Sequence, residues 1–178
     1  MAPPMRRLIF TVQKHQASHL HYDVRLEMGG VMKSWAVPKG PSLDPRVKRL
    51  AIEVDDHDLA YAEFEGVIEE GHYGAGPVLV WDTGWVEPVG KARSLAAMWE
   101  AGALDFILHG QRLRGRFALI RMKGRPRQWL LMKQRDEGAR PGREMEAKWN
   151  TSVLSGRTIE DLERAAKAGQ LKVLRCGA

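Results

Sequence analysis

Cysteine is nearly absent from this chain of 178 residues, and Cys176 is its only example. One thiol cannot form a disulfide within the chain, which excludes a disulfide-stapled secreted domain and favours a reducing cytoplasm. Apolar runs of the roughly 20 residues that span a bilayer are also missing. The segment before His15 lacks the apolar core and small-residue cleavage site of a signal peptide. We therefore expect a cytoplasmic protein without membrane association.

The chain also lacks internal repeats and any linker long enough to divide it, so we expect residues 1–178 to form a single domain. Its net charge of +6 is unevenly placed. Residues 1–90 hold 9 Lys/Arg and 13 Asp/Glu, a net of −4, and residues 91–178 hold 19 and 9, a net of +10, which together give +6.

The basic surplus is densest between residues 112 and 127. Such a surplus is typical of a surface that binds a polyanion, and equally of an ordinary solvated surface. On the first interpretation, Arg112, Arg114 and Arg116 are candidate contacts to a nucleic-acid backbone.

Strict alternation of apolar and polar residues marks the stretch Leu20–Met28. A period of two indicates a β-strand with one buried face. The other face then carries His21, Asp23, Arg25 and Glu27 in a row. Because an imidazole, two carboxylates and a guanidinium are an unusual set for a solvated face, we interpret this stretch as an active-site strand.

Short alternating runs elsewhere predict a mostly β fold, closed as a barrel or packed as a sandwich, with a few short helices. The Gly29-Gly30 pair predicts a hairpin turn, with Val31–Val37 as the returning strand. Ser94 and Thr158 are the predicted N-caps of two helices at residues 94–100 and 159–168. We also expect an acidic turn at residues 55–58, a strand that begins at Tyr61, and two strands separated by a turn at Asp82-Thr83-Gly84.

Two histidines and an aspartate make a candidate metal site that keeps coordination positions open, as a catalytic site requires. His21 and Asp23 share a strand face, and a further ligand must come from His15 or His19, between which spacing does not decide. Mixed nitrogen and oxygen ligands suit Zn, Mn or Fe(II). An Fe(II) oxygenase is disfavoured because Asp23 follows both histidines, and simple solvated histidines are the plain alternative.

Arg25 extends the polar face by one step, and a guanidinium beside a metal suits a phosphate group. A salt bridge from Arg25 to Glu27 or Glu53 is the alternative. No serine stands in the glycine-flanked turn of a hydrolase nucleophile. The residues alone therefore favour a metal beside a bound tetrahedral oxyanion such as phosphate.

Three long motifs resemble the 3′-phosphoesterase domain of the bacterial DNA ligase D proteins of non-homologous end joining. They are KHQASHLHYDVRLEMGGVMKSWAVPKGPSLDP, DHDLAYAEFEGVI and EGHYGAG. The resemblance continues through WDTGWVEP, LDFILHGQRLRGRFALIRM, WLLMKQRD and SVLSGRTIEDL, and so covers nearly the whole chain. It implies a small closed β-barrel with flanking helices.

The resemblance also implies a divalent metal held by His15, His21 and Asp23, in preference to His19. The metal of the family is usually Mn²⁺, and Zn²⁺ or another divalent metal is the alternative. A phosphate would be held by the catalytic residues Arg25, His57 and Tyr61, with Lys39 and Arg49 completing the phosphate and nucleic-acid contacts.

The implied activity is removal of a 3′-phosphate from DNA ends or RNA-tipped DNA ends, which leaves a 3′-OH for repair. Family members also remove a 3′-terminal ribonucleoside with help from an N-terminal flank, which is short here before Phe10. The chain departs from the family pattern at Glu69 and His72 as well.

No polymerase or ligase region is present, so we expect a stand-alone member that works with separate ligase, polymerase or end-binding proteins. A non-catalytic module that binds nucleic-acid ends is the alternative function, motivated by the departures near His57 and His72.

Overall fold

Ten β-strands, two α-helices and one 3-10 helix appear in the computed structural model, which describes residues 6–69, 71, 74–90, 94–143, 149–171 and 173–174. The sequence features noted at His72 and Cys176 lie outside the described residues. The strands are β1 (Leu8–Gln16), β2 (Leu20–Met28), β3 (Val31–Val37), β4 (Arg49–His57), β5 (Gly66–Ile68), β6 (Gly76–Pro88), β7 (Ala103–His109), β8 (Arg114–Met122), β9 (Arg125–Lys133) and β10 (Val173–Leu174). The helices are α1 (Leu95–Ala101), α2 (Ile159–Lys167) and the 3-10 helix Leu59–Glu63.

Strand β1 closes the sheet into a barrel, because it pairs with β2 on one side and with β6 on the other. The ring order is β1-β2-β3-β4-β9-β8-β7-β6, and every neighbouring pair is antiparallel. Strand β5 pairs with β6 outside the ring, and β10 lies parallel to β5. The prediction of a mostly β protein with a small closed barrel and a few short helices is confirmed.

The strand register separates an apolar face from a polar one. Val24 lies opposite Trp35, whereas the next residue, Arg25, lies opposite Ser34. The face of Val24 is the barrel interior, because every strand of the ring contributes a buried side chain to it. These core residues are Phe10, Val24, Trp35, Ala51, Val86, Phe106, Phe117 and Trp129. Consequently Arg25 and its polar neighbours lie on the outside of the barrel.

Both predicted helix caps are present. The Ser94 hydroxyl accepts a 3.1 Å hydrogen bond from the Ala97 amide, and α1 ends at Gly102, whose φ of 79° favours glycine. Thr158 and Asp161 form a capping box at the start of α2. No helix among the described residues is long and apolar enough to cross a membrane.

The predicted break at Asp82-Thr83-Gly84 is wrong, because β6 runs unbroken through these residues. Asp82 is fully buried, and its carboxylate accepts hydrogen bonds from four backbone amides. Three of these amides belong to the loop between β7 and β8, at residues 111–113. Asp82 therefore organises a distant loop from within a strand, instead of forming a turn of its own.

Two further predictions near the acidic segment are wrong. Residues 55–57 form the end of β4, where a turn was expected. Tyr61 lies within the 3-10 helix Leu59–Glu63, where the start of a strand was expected. This short helix packs against β1 and β3 and brings Tyr61 to the outer face of the barrel.

Candidate active site

A cleft of about 620 Å³ lies on the outer face of β1 to β4, beside the 3-10 helix. Charged and aromatic side chains converge in it, and most of them were predicted from the sequence. Its wall includes His15, His21, Asp23, Arg25, His57 and Tyr61. Six predicted site residues are therefore brought together, although 46 positions separate the first from the last in the chain.

The β1–β2 hairpin places the candidate metal ligands side by side. His15 lies directly opposite His21, and Asp23 is two residues further along β2 on the same face. The Asp23 Oδ2 atom is 3.7 Å from the Nδ1 atom of His15 and 3.3 Å from the Nε2 atom of His21. The alternation that predicted this shared face is confirmed.

These three residues fit a divalent metal. Their ligand atoms all lie within 4.8 Å of one another, and atoms that share a metal at about 2.1 Å stand roughly 3–4 Å apart. The Nε2 atom of His15 is buried and has no hydrogen-bond partner within the described part of the chain. An orphaned imidazole nitrogen beside a buried carboxylate is costly unless a ligand satisfies the group.

His19 occupies a different position from the other two histidines. Its side chain is exposed, and its Nδ1 atom lies 3.4 Å from the Ser18 hydroxyl, while its carbonyl lies 3.1 Å from the Nδ1 atom of His21. A hydrogen bond from that Nδ1 to the carbonyl leaves Nε2 of His21 facing Asp23 as the candidate ligand atom. His19 thus orients a neighbour through its backbone.

The local charges favour an ionised carboxylate in the trio. Burial alone would raise the pKa of Asp23, but hydrogen bonds from His15 and His21 and the charge of Arg25 outweigh it, so the pKa lies well below its ordinary value. The hydrogen bond to Asp23 raises the pKa of His21. Protons would therefore compete with a metal mainly at His21.

The guanidinium of Arg25 is held at three of its nitrogens. Its Nε donates to the Gln13 Oε1 atom at 2.6 Å, and its Nη1 donates to the Ser34 hydroxyl at 2.8 Å. Its Nη2 lies 3.5 Å from Asp23. Only 3% of Arg25 is exposed, so the guanidinium is a buried, oriented charge at the base of the cleft.

Gln13 links Arg25 to the 3-10 helix. The same amide that accepts from Arg25 donates through Nε2 to the backbone carbonyls of Tyr61, at 2.9 Å, and Phe64, at 3.1 Å. Gln13 is fully buried, so its amide has no competing solvent. Neither Gln13 nor Ser34 was predicted as a site residue. Gln13 lies two residues before His15 on β1 and so shares its face, which is a signal that could have identified Gln13 from the sequence.

His57 reaches the cleft from the far end of β4. Its Nδ1 atom lies 3.0 Å from both Nη1 of Arg25 and the carbonyl of Asp55. Burial and the charge of Arg25 lower the pKa of His57. The ring is therefore neutral at neutral pH, and Nδ1 either donates to the carbonyl or accepts from Arg25.

Tyr61 completes an aromatic stack beside Arg25. Its ring centroid lies 4.7 Å from that of His57 and 5.1 Å from that of Phe64. The Arg25 guanidinium carbon lies 5.0 Å from the centre of the Tyr61 ring, within the range of a cation–π contact. Arg25, His57 and Tyr61, the residues predicted to hold the phosphate and called the phosphate clamp below, are therefore in direct contact with one another.

Lys39 and Arg49 are not among the described residues that line the cleft. Lys39 is exposed and directly follows Pro38, which does line it. Arg49 is the first residue of β4 and lies on the same face of the strand as Ala51, towards the barrel interior. Its Nε atom is buried without a hydrogen-bond partner among the described residues. Their assignment to phosphate contacts stays a prediction.

The three arginines predicted to hold a nucleic-acid backbone lie elsewhere. Arg112 donates to the Trp81 carbonyl at 2.9 Å and to Thr151 at 3.1 Å, and so braces the barrel. Arg114 and Arg116 lie on β8, which stands four strands from β2 in either direction around the ring. Their side chains therefore project from the side of the barrel opposite the cleft, and their role also stays a prediction.

A buried arginine, an imidazole and a candidate metal centre of three residues in one cleft form an arrangement suited to binding a phosphate ester. The chain belongs to the DNA ligase D 3′-phosphoesterase domain family, whose sequence profile matches residues 13–121, more than half of its length.

Three curated relatives support this membership. The multifunctional non-homologous end joining protein LigD of Pseudomonas aeruginosa is 52% identical over 156 residues, which cover 85% of this chain and 18% of that protein. The protein of the same name from Mycobacterium bovis is 44% identical over 131 residues, which cover 72% of this chain and 16% of that protein. The Mycolicibacterium smegmatis protein is 40% identical over 137 residues, covering 74% and 18%. The chain thus spans less than a fifth of the length of these relatives.

Proposed function

We propose that this chain is a divalent-metal-dependent phosphoesterase that removes the 3′-phosphate from DNA ends and leaves a 3′-OH for end joining. The observation that carries the proposal is the position of Asp23. Its carboxylate touches both candidate metal-binding histidines and lies beside Arg25, so the metal centre and the phosphate clamp share one wall of the cleft.

His15, His21 and Asp23 would hold the metal, with Mn²⁺ as the favoured ion. Bound there, it would polarise a phosphate oxygen and lower the pKa of a coordinated water. Because the donors are nitrogen and oxygen atoms, Zn²⁺ or another divalent ion is compatible with the same site.

Arg25 would bind a nonbridging phosphate oxygen through Nη2. Its Nε and Nη1 are engaged by Gln13 and Ser34, so the guanidinium cannot turn to follow the substrate. A fixed, desolvated charge stabilises the charge that develops on phosphate during hydrolysis without a reorganisation cost.

His57 and Tyr61 would contact the remaining oxygens. His57 would take up a proton when the phosphate anion binds beside it, and would deliver that proton to the departing 3′ oxygen. In the overall reaction water adds to phosphorus, the bond from phosphorus to the 3′ oxygen breaks, and that oxygen takes up the proton. The products are inorganic phosphate and a 3′-OH end.

The test is phosphate release from a 3′-phosphorylated primer, with Mn²⁺ and with excess chelator. We expect release with Mn²⁺ only, and loss of release in His15→Ala and in His57→Ala while both variants keep the wild-type fold. Release that persists in chelator would refute the metal assignment. An end that is bound but never hydrolysed would favour a non-catalytic module for nucleic-acid ends. A parallel primer that ends in a ribonucleotide measures whether a terminal ribonucleoside is removed as well.

A further inference from the structure

Two loops that are distant in the sequence meet at one end of the barrel, residues 38–48 and residues 134–143. The Arg140 amide donates to the Leu43 carbonyl at 2.7 Å. The Gly142 amide donates to the Asp44 carboxylate at 2.8 Å. Asp44 is 6% exposed and also accepts from the Arg46 amide, at 3.0 Å, and from the Arg46 guanidinium. One buried carboxylate therefore fixes both loops in one arrangement.

This junction carries a surplus of positive charge. The first loop holds Lys39, Asp44, Arg46 and Lys48, a net of +2, and the second holds Arg135, Asp136, Glu137, Arg140 and Arg143, a net of +1. The exposed basic side chains include Lys39, Lys48, Arg140 and Arg143. We call these four residues the two-loop basic surface. Every large hydrophobic side chain that is exposed in the described residues lies outside both loops.

The two-loop basic surface stands at the same end of the barrel as the candidate metal centre. The first loop leaves β3 at Val37, and Val37 lies opposite Tyr22, next to His21. The second loop follows the end of β9 at Lys133, and Leu131, two residues before that end, lies opposite Arg49 at the start of β4. The ends of β2, β3, β4 and β9 are neighbours in the ring. A strand that enters the cleft from this end therefore passes the two loops.

The chemistry of this surface fits a polyanion. Four exposed cations without an exposed apolar anchor suit a repeated negative charge, whereas a protein partner is bound mainly through a buried apolar centre. Lysine and arginine side chains on loops contact phosphates without reading the sequence of the bases. Arg114 and Arg116, by contrast, project from the opposite side of the barrel, and Arg116 forms hydrogen bonds of 2.8 and 2.6 Å with Asp105.

We propose that the two-loop basic surface binds the phosphodiester backbone of the nucleic-acid strand whose 3′ end occupies the cleft. This inference rests on the proposed function, because it takes the 3′ end of a strand as the group in the cleft. It assigns to Lys48, Arg140 and Arg143 a role in holding the substrate strand.

The experiment compares two double variants of the full chain, Lys48→Ala with Arg143→Ala, and Arg114→Ala with Arg116→Ala. Each removes two exposed cations, so their net charges are identical. Binding of a fluorescent 3′-phosphorylated strand is measured by anisotropy at several salt concentrations in chelator, where no hydrolysis is expected. Phosphate release with Mn²⁺ is measured separately at saturating strand.

We expect the Lys48/Arg143 variant to bind roughly tenfold more weakly at about 0.1 M salt. Its log–log salt slope should be shallower by about 1 to 2, because each lost phosphate contact removes about 0.7 from the slope on a single strand. Its rate at saturation should match the wild type. The Arg114/Arg116 variant should bind like the wild type.

Equal weakening of both variants, or wild-type binding by the Lys48/Arg143 variant, would overturn the inference. Wild-type binding by the Lys48/Arg143 variant would instead favour an acidic protein as the partner of the two-loop basic surface. Weakened binding of the Lys48/Arg143 variant, in a protein that releases no phosphate even with Mn²⁺, would support this surface and refute the proposed function. The two ideas can therefore fail separately.

Discussion

His57 lies opposite Met32 in the β3–β4 ladder, one residue out of phase with the outward face of β4. Two residues further along β3, Ser34 lies opposite Val54, so a step of two on β3 corresponds to a step of three on β4. Such a β-bulge inserts one extra residue and reverses the direction of the side chains beyond it. Without the bulge, His57 would share the inward parity of Glu53 and would miss Arg25.

Insertion of one alanine between Asp56 and His57 should therefore remove His57 from the cleft. With the bulge kept, the alanine takes the position opposite Met32, and the imidazole moves one step further along β4 and faces away from Arg25. We expect phosphate release to fall by about 100-fold or more, as for loss of an acid–base group. Binding of Mn²⁺, followed by electron paramagnetic resonance, should persist because its proposed ligands lie on β1 and β2.

Asp56→Ala is the matched control for that insertion. It removes the 3.2 Å ion pair with Lys33 but keeps the residue count. Because Asp56 is exposed, loss of the pair should cost under about 1 kcal/mol, and most activity should survive. If the insertion and the substitution behave alike, the register of β4 does not position His57.

Gln13→Met should impair the clamp more than Ser34→Ala does. Ser34→Ala removes one hydrogen bond to Arg25, at a cost of about 1 kcal/mol. Gln13→Met also frees the carbonyls of Tyr61 and Phe64, so we expect about 2–4 kcal/mol from several buried groups left without partners. Thermal unfolding measures the loss of stability, and the Ki of inorganic phosphate measures how tightly the clamp binds phosphate. Equal effects of the two variants would show that Gln13 does not act through the 3-10 helix.

Phosphate binding should take up protons at mildly acidic pH. Burial and Arg25 lower the pKa of free His57 below its ordinary value of about 6.5, and a bound phosphate anion raises it again. Uptake should vanish as the pH rises well above the pKa of the complex. Calorimetry in buffers of different ionisation enthalpy counts the protons, with His57→Gln as the control. Without uptake, Nδ1 must accept from Arg25, and the neutral ring must donate through Nε2.

Affinity for Mn²⁺ should fall as the pH is lowered. The hydrogen bond to Asp23 raises the pKa of His21, so a proton must leave this ring at a higher pH than usual before a metal binds. The lowered pKa of Asp23 keeps the carboxylate ionised throughout. We expect about a tenfold loss per pH unit for each proton displaced, once the pH is below the pKa of His21.

Histidine variants check the ligand set in the same titration. His19→Ala should bind Mn²⁺ like the wild type, because only its backbone contacts His21. His21→Ala should lose the ion at every pH. Loss of metal in His19→Ala would reinstate His19 as the second histidine ligand.

Alternation and capping residues were enough to predict much of the fold. Residues 20–28 and 31–37 were predicted as strands and are β2 and β3 to the residue, because a half-buried strand must alternate. Ser94 and Thr158 marked both α-helices, because their hydroxyls satisfy amides that no helical carbonyl can reach. Asp82 was misinterpreted since an aspartate is typical of turns, and nothing nearby in the sequence reveals the amides that it binds across the barrel.

The site was predictable where it is local and hidden where it depends on packing. His21, Asp23 and Arg25 share a face by parity alone. The bulge that turns His57 has no comparable signal. The basic stretch around Arg114 and Arg116 was conspicuous in the sequence, but ring closure places it four strands from the cleft on either path, a relation that only the complete topology defines.

The hairpin origin of the candidate metal centre separates two events during folding. The three candidate ligands lie on adjacent strands joined by a short turn, so one local contact is enough to bring them together. The contact between Arg25 and His57 spans 32 residues and needs the β3–β4 ladder in its bulged register. If the proposed function is right, metal binding by a partly folded chain would therefore not be evidence of a complete phosphate site.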